Sequence, residues 1–187
     1  QIQSAIDTMN ARYRALPGTN PIPGGPAGVD TKIQFALATR DASCVASTGI
    51  LRVNTSSVPG YSNDGIQSSG SVGAAEDSVK ALSIWPPQDY LNVWVVTEIN
   101  GNNGGFGTLG YSRLPGAPLH LDGIVVQHTA CGSIGTVNAA FDNGGTMVHE
   151  AGHYLGLHHT FEGDGTGGNC PPVANGCGSG QGDCCTD

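Results

Sequence analysis

The chain has 187 residues, with 7 Lys plus Arg against 15 Asp plus Glu and a formal net charge of −8 at pH 7. That balance leaves no basic face for phosphates, which argues against nucleic-acid or acidic-membrane binding, and no stretch approaches the roughly 18 apolar residues that cross a bilayer. Charged residues are 12% and apolar residues 38%, a composition for a single domain with a moderate core, while 30 Gly and 11 Pro predict many tight turns.

Taken in order, Ile2, Ile6, Met9 and Tyr13 recur at spacings of four, three and four, which predicts a helix over 1–16 with one apolar stripe. Leu16-Pro17-Gly18 ends it, and 18–28 is a Pro/Gly-rich loop. TKIQFALATR alternates apolar with polar or small residues and predicts a strand over 33–38; 50–53 reads as a second, short strand. The Ser/Gly-rich stretch 56–73 has no period and reads as loop, and 74–82 as a short helix. YLNVWVVTEI (90–99) is rich in β-branched and aromatic residues and is the strongest strand signal. A Gly-rich strand over 106–113 and a buried-type strand over 123–128 (GIVVQH) follow. Helices and strands interleave, but the crossovers are too irregular for a doubly wound sheet.

The chemistry concentrates in MVHEAGHYLGLHHTF (147–161), which contains His149-Glu150-x-x-His153-x-x-Gly156-x-x-His159. Given the chain's own composition, a chance match to all five positions is expected roughly 2 times in 100,000. On a helix turning 100° per residue, His153 lies about 40° from His149 and Glu150 about 100°. Met147, Val148, Ala151, Tyr154 and Leu155 take the opposite, apolar side. Imidazoles at i and i+4 can share one metal ion. Gly156 is suited to end the helix and turn the chain, so that His159 swings back as third ligand; the spacing selects it over His158. Three protein ligands and an open fourth position describe a catalytic zinc site. Glu150 is then the general base for a zinc-activated water. His120 and His128 lie outside the pattern and read as ordinary polar residues.

Six cysteines are an even number, and Cys170, Cys177, Cys184 and Cys185 crowd the last 18 residues. Their spacing lacks the Cys-x-x-Cys pairs of a zinc ribbon, so disulfides and an oxidising, extracellular compartment are expected. Fifteen pairings are available; elimination offers Cys44 with Cys131 as one of them. The opening at Gln1, without an initiator Met or signal-like region, reads as a processed or excerpted segment.

At the zinc-motif residues the chain resembles a metzincin metallopeptidase, and within that clan the pappalysin family, of the ulilysin and cytophagalysin type. The resemblance extends through QIQSAIDTMNARYR, TKIQFALATRD with GILRVNTS, YLNVWVV, LGYSRLPG, DGIVVQHTACG and HTFEGDG. It implies an α/β (α+β) fold: a twisted, mixed and mostly parallel sheet with one antiparallel edge strand, a backing helix, and an active-site helix beneath. By position the edge strand is 109–113, the upper rim of a cleft, either an ordinary edge or one that takes an extended substrate by strand addition. The whole of 1–187 then reads as one catalytic domain. Residues 1–157 form its upper subdomain, with the zinc helix at about 143–157, and 158–187 begin a Cys/Gly-rich lower subdomain. Two departures stand out. The family places a methionine beneath the zinc, downstream of the third His, yet the methionines here are Met9 and Met147; and a strand that usually precedes the first helix is missing before Gln1. The chain therefore reads as a fragment of a catalytic domain, its lower subdomain truncated. Family members also hold calcium after the zinc helix; Glu162, Asp164, Asp183 and Asp187 offer oxygen donors for Ca²⁺, or form a solvated acidic loop.

The resulting expectation is a secreted zinc endopeptidase acting on protein or peptide substrates, with no nucleic-acid or membrane partner. The alternative from a different class is a non-catalytic extracellular zinc- or protein-binding module, motivated by the truncated lower subdomain and the clustered cysteines. A zinc hydrolase for a non-peptide substrate is the third reading.

Overall fold

The computed structural model describes residues 1–20, 28–70 and 72–159. Helix α1 spans Ile2–Tyr13, a one-turn α2 Tyr61–Asp64, α3 Glu76–Lys80 and α4 Gly145–Tyr154. Strands β1 (Val93–Val96), β2 (Gly110–Ser112) and β3 (Ile124–Gln127) make a sheet of order β1-β3-β2. β1 runs parallel to β3, with Val93 opposite Ile124, and β2 antiparallel to it, with Tyr111 opposite Val125. This is the mixed sheet with an antiparallel edge that the family resemblance implied.

β3 is buried at all four positions because both faces of the sheet are covered. On one face Ile124 and Val126 pack with Ala5 and Met9 of α1 and Met147 and Ala151 of α4. On the other, Val125 joins Trp94 and Val96 of β1, Val79 of α3, and Ile66, Ala74 and Ile99. β1, covered fully on one face, shows the period-two burial of its sequence, with Trp94 and Val96 in and Val93 and Val95 out. The buried stripe of α1 is rotated from the predicted one: Ala5 and Met9 are buried and Tyr13 packs beside them, whereas Ile2 and Ile6 are half-buried. Small Ala5 allows α4 to approach, so proximity rather than side-chain size sets which face is inside.

Two predicted strands do not form as ladders. Residues 33–38 and 50–53 are extended but unpaired, and their neighbourhood holds an isolated bridge between Arg40 and Ala46. The alternation over 33–38 is real, since Ile33, Phe35 and Leu37 are half-buried while Gln34 and Ala36 are exposed. Period two reports which side chains face inward; a ladder also needs a neighbouring backbone. Here an amide substitutes for it: Phe35 N–H donates to Asn10 Oδ1 (2.7 Å), and Asn10 Nδ2 donates to the Phe35 carbonyl (2.9 Å). The predicted strands over 90–99 and 106–113 contract to four and three residues. Asn92 leaves the first by bonding both backbone groups of Trp85, and the glycines at 104, 105 and 107 form a loop before the second. The stretch read as loop over 56–73 contains α2.

The Cys44–Cys131 pairing is corrected. Both thiols are free among the described residues, Cys44 exposed on a loop and Cys131 buried between α1 and β3. Burial pushes the Cys131 thiol up to about 11, so it sits there as a small apolar side chain. The four C-terminal cysteines and the acidic residues suggested for calcium lie outside the described residues.

Asn10→Ala removes both partners of the Phe35 peptide groups. It should cost about 1–3 kcal/mol, read from the shift in denaturant midpoint at constant slope, with little change if water replaces the amide.

Candidate active site

The histidines are placed by α4. Met147 and Ala151 hold the helix to the core, 2% and 0% exposed, and the Tyr13 hydroxyl donates to the Val148 carbonyl. The opposite side therefore faces outward with His149 and His153 a turn apart. The helix then stops as its sequence predicts. Gly156 takes φ +97°, its N–H donates to the His153 carbonyl at 2.9 Å, and the Leu157 N–H donates to the Gly152 carbonyl at 2.9 Å. This paired closure needs a left-handed residue at Gly156, and it reverses the chain so that His159 returns to the helix face.

The three imidazoles converge. Nε2 of His153 lies 3.0 Å from that of His149 and 3.1 Å from that of His159, and the His149 and His159 nitrogens are 3.1 Å apart. His153 Nδ1 is 2.7 Å from the Leu157 carbonyl. A carbonyl only accepts, so Nδ1 carries the proton and Nε2 presents a lone pair. Burial pushes His149 below its ordinary pKa, and the other two imidazoles push the same way. Three ring nitrogens in so small a triangle cannot all be satisfied by protons between them, whereas one cation satisfies all three. Ligands at about 2.0–2.1 Å from a tetrahedral zinc stand about 3.3–3.4 Å apart, within a few tenths of the observed spacing. The donor set and the geometry fit zinc.

Glu150 lies beside this triangle, 5% exposed. It nevertheless lines a cleft of about 760 Å³ together with Gly107 to Ser112, Leu114, Gly145, Thr146 and the three histidines. Its Oε2 is buried without a hydrogen-bond partner in the protein, and burial raises its pKa to about 7. The protein thus leaves one acceptor of this carboxylate unused.

The rim of the cleft is β2. Gln127 N–H donates to the Leu109 carbonyl and Arg113 N–H to the Gly123 carbonyl. With Tyr111 opposite Val125, the odd-numbered residues thus form the hydrogen-bonded pairs with β3. The backbone groups of Gly110 and Ser112 consequently point away from β3. Gly110 has a second role: a Cβ there would lie 3.0 Å from Glu150 Cγ and from the Val125 carbonyl, and 3.1 Å from Thr146 Cγ2.

Of the residues singled out by sequence, His149, His153, His159 and Glu150 come together in one site. His158 does not join the triangle; it lines a smaller, neighbouring recess that His149 and His153 also border. Thr146 and Gly110 were not anticipated. A glycine inside a strand pattern is a signal of close backbone approach, which is its role here.

Residues 73–187 match a peptidase family described as pregnancy-associated plasma protein-A, and the chain belongs to that family, the pappalysins, a family of metallopeptidases. An extracellular metalloprotease of Pyricularia oryzae is 37% identical over 78 residues, 39% of this chain and 25% of that protein. One of Colletotrichum graminicola is 39% identical over 69 residues, 33% and 23%. The chain thus spans about a quarter of these curated relatives. Among solved structures, Tannerella forsythia mature mirolysin in complex with a cleaved peptide superposes with a TM-score of 0.68 at 28% identity, over 96% of this chain and 64% of that one. Mirolysin with a bound compound gives 0.68 at 29% identity, over 88% and 59%.

Gly110→Ala should displace Glu150 while leaving the histidines in place. Peptide hydrolysis is expected to fall about 10- to 100-fold with zinc content unchanged by atomic absorption; undiminished turnover would show that the carboxylate tolerates the methyl group.

Proposed function

We propose that this chain carries the catalytic centre of a secreted zinc endopeptidase. In this reading residues 1–157 are the upper subdomain and 158–187 open the lower one. His149, His153 and His159 hold the zinc, and Glu150 is the general base. The observation that carries the reading is the triangle of three imidazole nitrogens 3.0–3.1 Å apart with Glu150 lining the same cleft. Secretion is supported by the extracellular relatives; none of the described helices is long and apolar enough to cross a membrane.

When bound, zinc supplies Lewis acidity, acidifying water and stabilising negative charge on a carbonyl oxygen. The protein does the rest. An extended peptide pairs with the outward backbone groups of Gly110 and Ser112, adding a strand to the sheet and laying its main chain across the cleft. Glu150 accepts a proton from the attacking water and passes it to the leaving amine. Its burial works to make it a stronger base than an ordinary carboxylate. The His153–Leu157 hydrogen bond keeps that ring in the tautomer a ligand requires.

Glu150→Gln preserves shape and removes the base. It should retain about one zinc per chain and lose roughly 10²- to 10⁴-fold in kcat on a quenched peptide; wild-type-like turnover would refute the assignment. Removing the metal with phenanthroline should abolish cleavage of casein, and added zinc should restore it. Zinc binding by the wild-type protein without turnover would instead identify a non-catalytic module.

A further inference from the structure

A buried ion cluster lies on the face of the sheet opposite α4, outside the chemistry described above. Lys80, at the end of α3, is 0% exposed. Its Nζ lies 2.7 Å from Glu76 Oε1 and donates to the Leu121 carbonyl at 2.6 Å. The same ammonium stands over the ring of Trp94 on β1, 4.7 Å from its centroid, and over that of Tyr111 on β2 at 5.6 Å. Glu76, itself 9% exposed, also receives the Arg113 guanidinium on both carboxylate oxygens, Nε to Oε1 at 3.2 Å and Nη2 to Oε2. One carboxylate thus binds two cations, one from the covering helix and one from the residue that follows the rim strand.

An amine buried in an aromatic cage is costly to desolvate, and an apolar side chain of similar volume would pack there more cheaply. Burial accordingly pushes the Lys80 amine below its ordinary range, against the opposing pull of Glu76. What the cluster provides is directional side-chain contact with a strand whose own ladder is short. β2 is three residues long and pairs on one side, while below it Gly110 brings only backbone against Glu150. Tyr111 and Arg113 point up into the cluster as Gly110 and Ser112 turn their backbone groups outward. The rim strand is therefore gripped from above as well as seated on α4 below.

We infer that the Lys80–Glu76–Arg113 cluster is a positioning device for the rim strand, fixing its register and height and thereby how an extended peptide is held. The inference rests on the peptidase reading for its consequence and not for its geometry. Glu76→Gln leaves two cations facing each other without an anion. Amide-exchange protection at Tyr111 and Arg113 should then fall about tenfold or more, while the amides of 151–153 in α4 stay protected. For a substrate of about ten residues, kcat/KM should drop about tenfold, mostly through KM. A blocked dipeptide that spans only the scissile bond should change less than about twofold. Lys80→Met, which removes one cation and conserves volume, carries the same readouts if Glu76→Gln does not fold. Retained protection at Tyr111 and Arg113, protection lost equally from α4, or equal losses on both substrates would overturn the inference. A wild-type protein that cleaves neither peptide would sink the peptidase reading, and amide exchange would still decide the role of the cluster.

Discussion

Three imidazole nitrogens must meet within a few ångströms, and a straight helix can supply only two of them. The i,i+4 spacing brings His149 and His153 together, but the next residue on that face would lie another turn along the axis and out of reach. The third nitrogen has to arrive from a chain that has left the helix and doubled back. Gly156 is where this happens, and the backbone bonds that close the helix there also give His153 its carbonyl partner at Leu157. Helix termination, ligand tautomer and the return of His159 are thus one structural event. The site depends on it more than on any single contact.

The second constraint is the carboxylate. Glu150 follows His149 directly, which places it about 100° round the helix and under the edge of the sheet. A carboxylate forced there loses water, and its pKa rises accordingly. The absence of a side chain at Gly110 gives it room at the wall of the cleft. In the proposed reading, the separation between β2 and α4 bears on both the desolvation of Glu150 and the entry of a substrate.

How far this was legible in the sequence follows from the range of each interaction. The helix α4, its apolar side and its glycine stop are local, so spacing alone revealed them, and the structure brings His149, His153 and His159 together. The order of the sheet is not local, yet the family resemblance supplied its antiparallel edge correctly. Residues 33–38 show the opposite case. Their alternation correctly reported inward-facing side chains, but nothing in it revealed that Asn10 would take the backbone groups of Phe35. Elimination failed for Cys44 and Cys131 because counting residues carries no information on distance. Lys80 was passed over since a lysine in a short polar helix reads as solvated, although the Glu76–Lys80 spacing of four was a visible hint of pairing.

The cleft thus joins two layers held by different physics. Below, α4 is fixed by Met147 and Ala151 against α1 and β3, contacts that are nondirectional and spread over many atoms. Such packing suits a helix whose ligands are already spaced by its own geometry and which needs only to be kept in place. Above, β2 is too short for its ladder to define it, so directional ion pairs and aromatic contacts with Lys80, Glu76 and Tyr111 do so. β3 lies between them, buried on both faces, and hydrogen-bonds the rim while packing against the helix. Any shift of β3 would carry floor and rim together and preserve their separation, whereas a change in the upper cluster would move the rim alone. In the proposed reading, the separation that shields Glu150 and admits a peptide therefore answers to the charged layer above β2 as well as to the contacts of β2 with α4 below it.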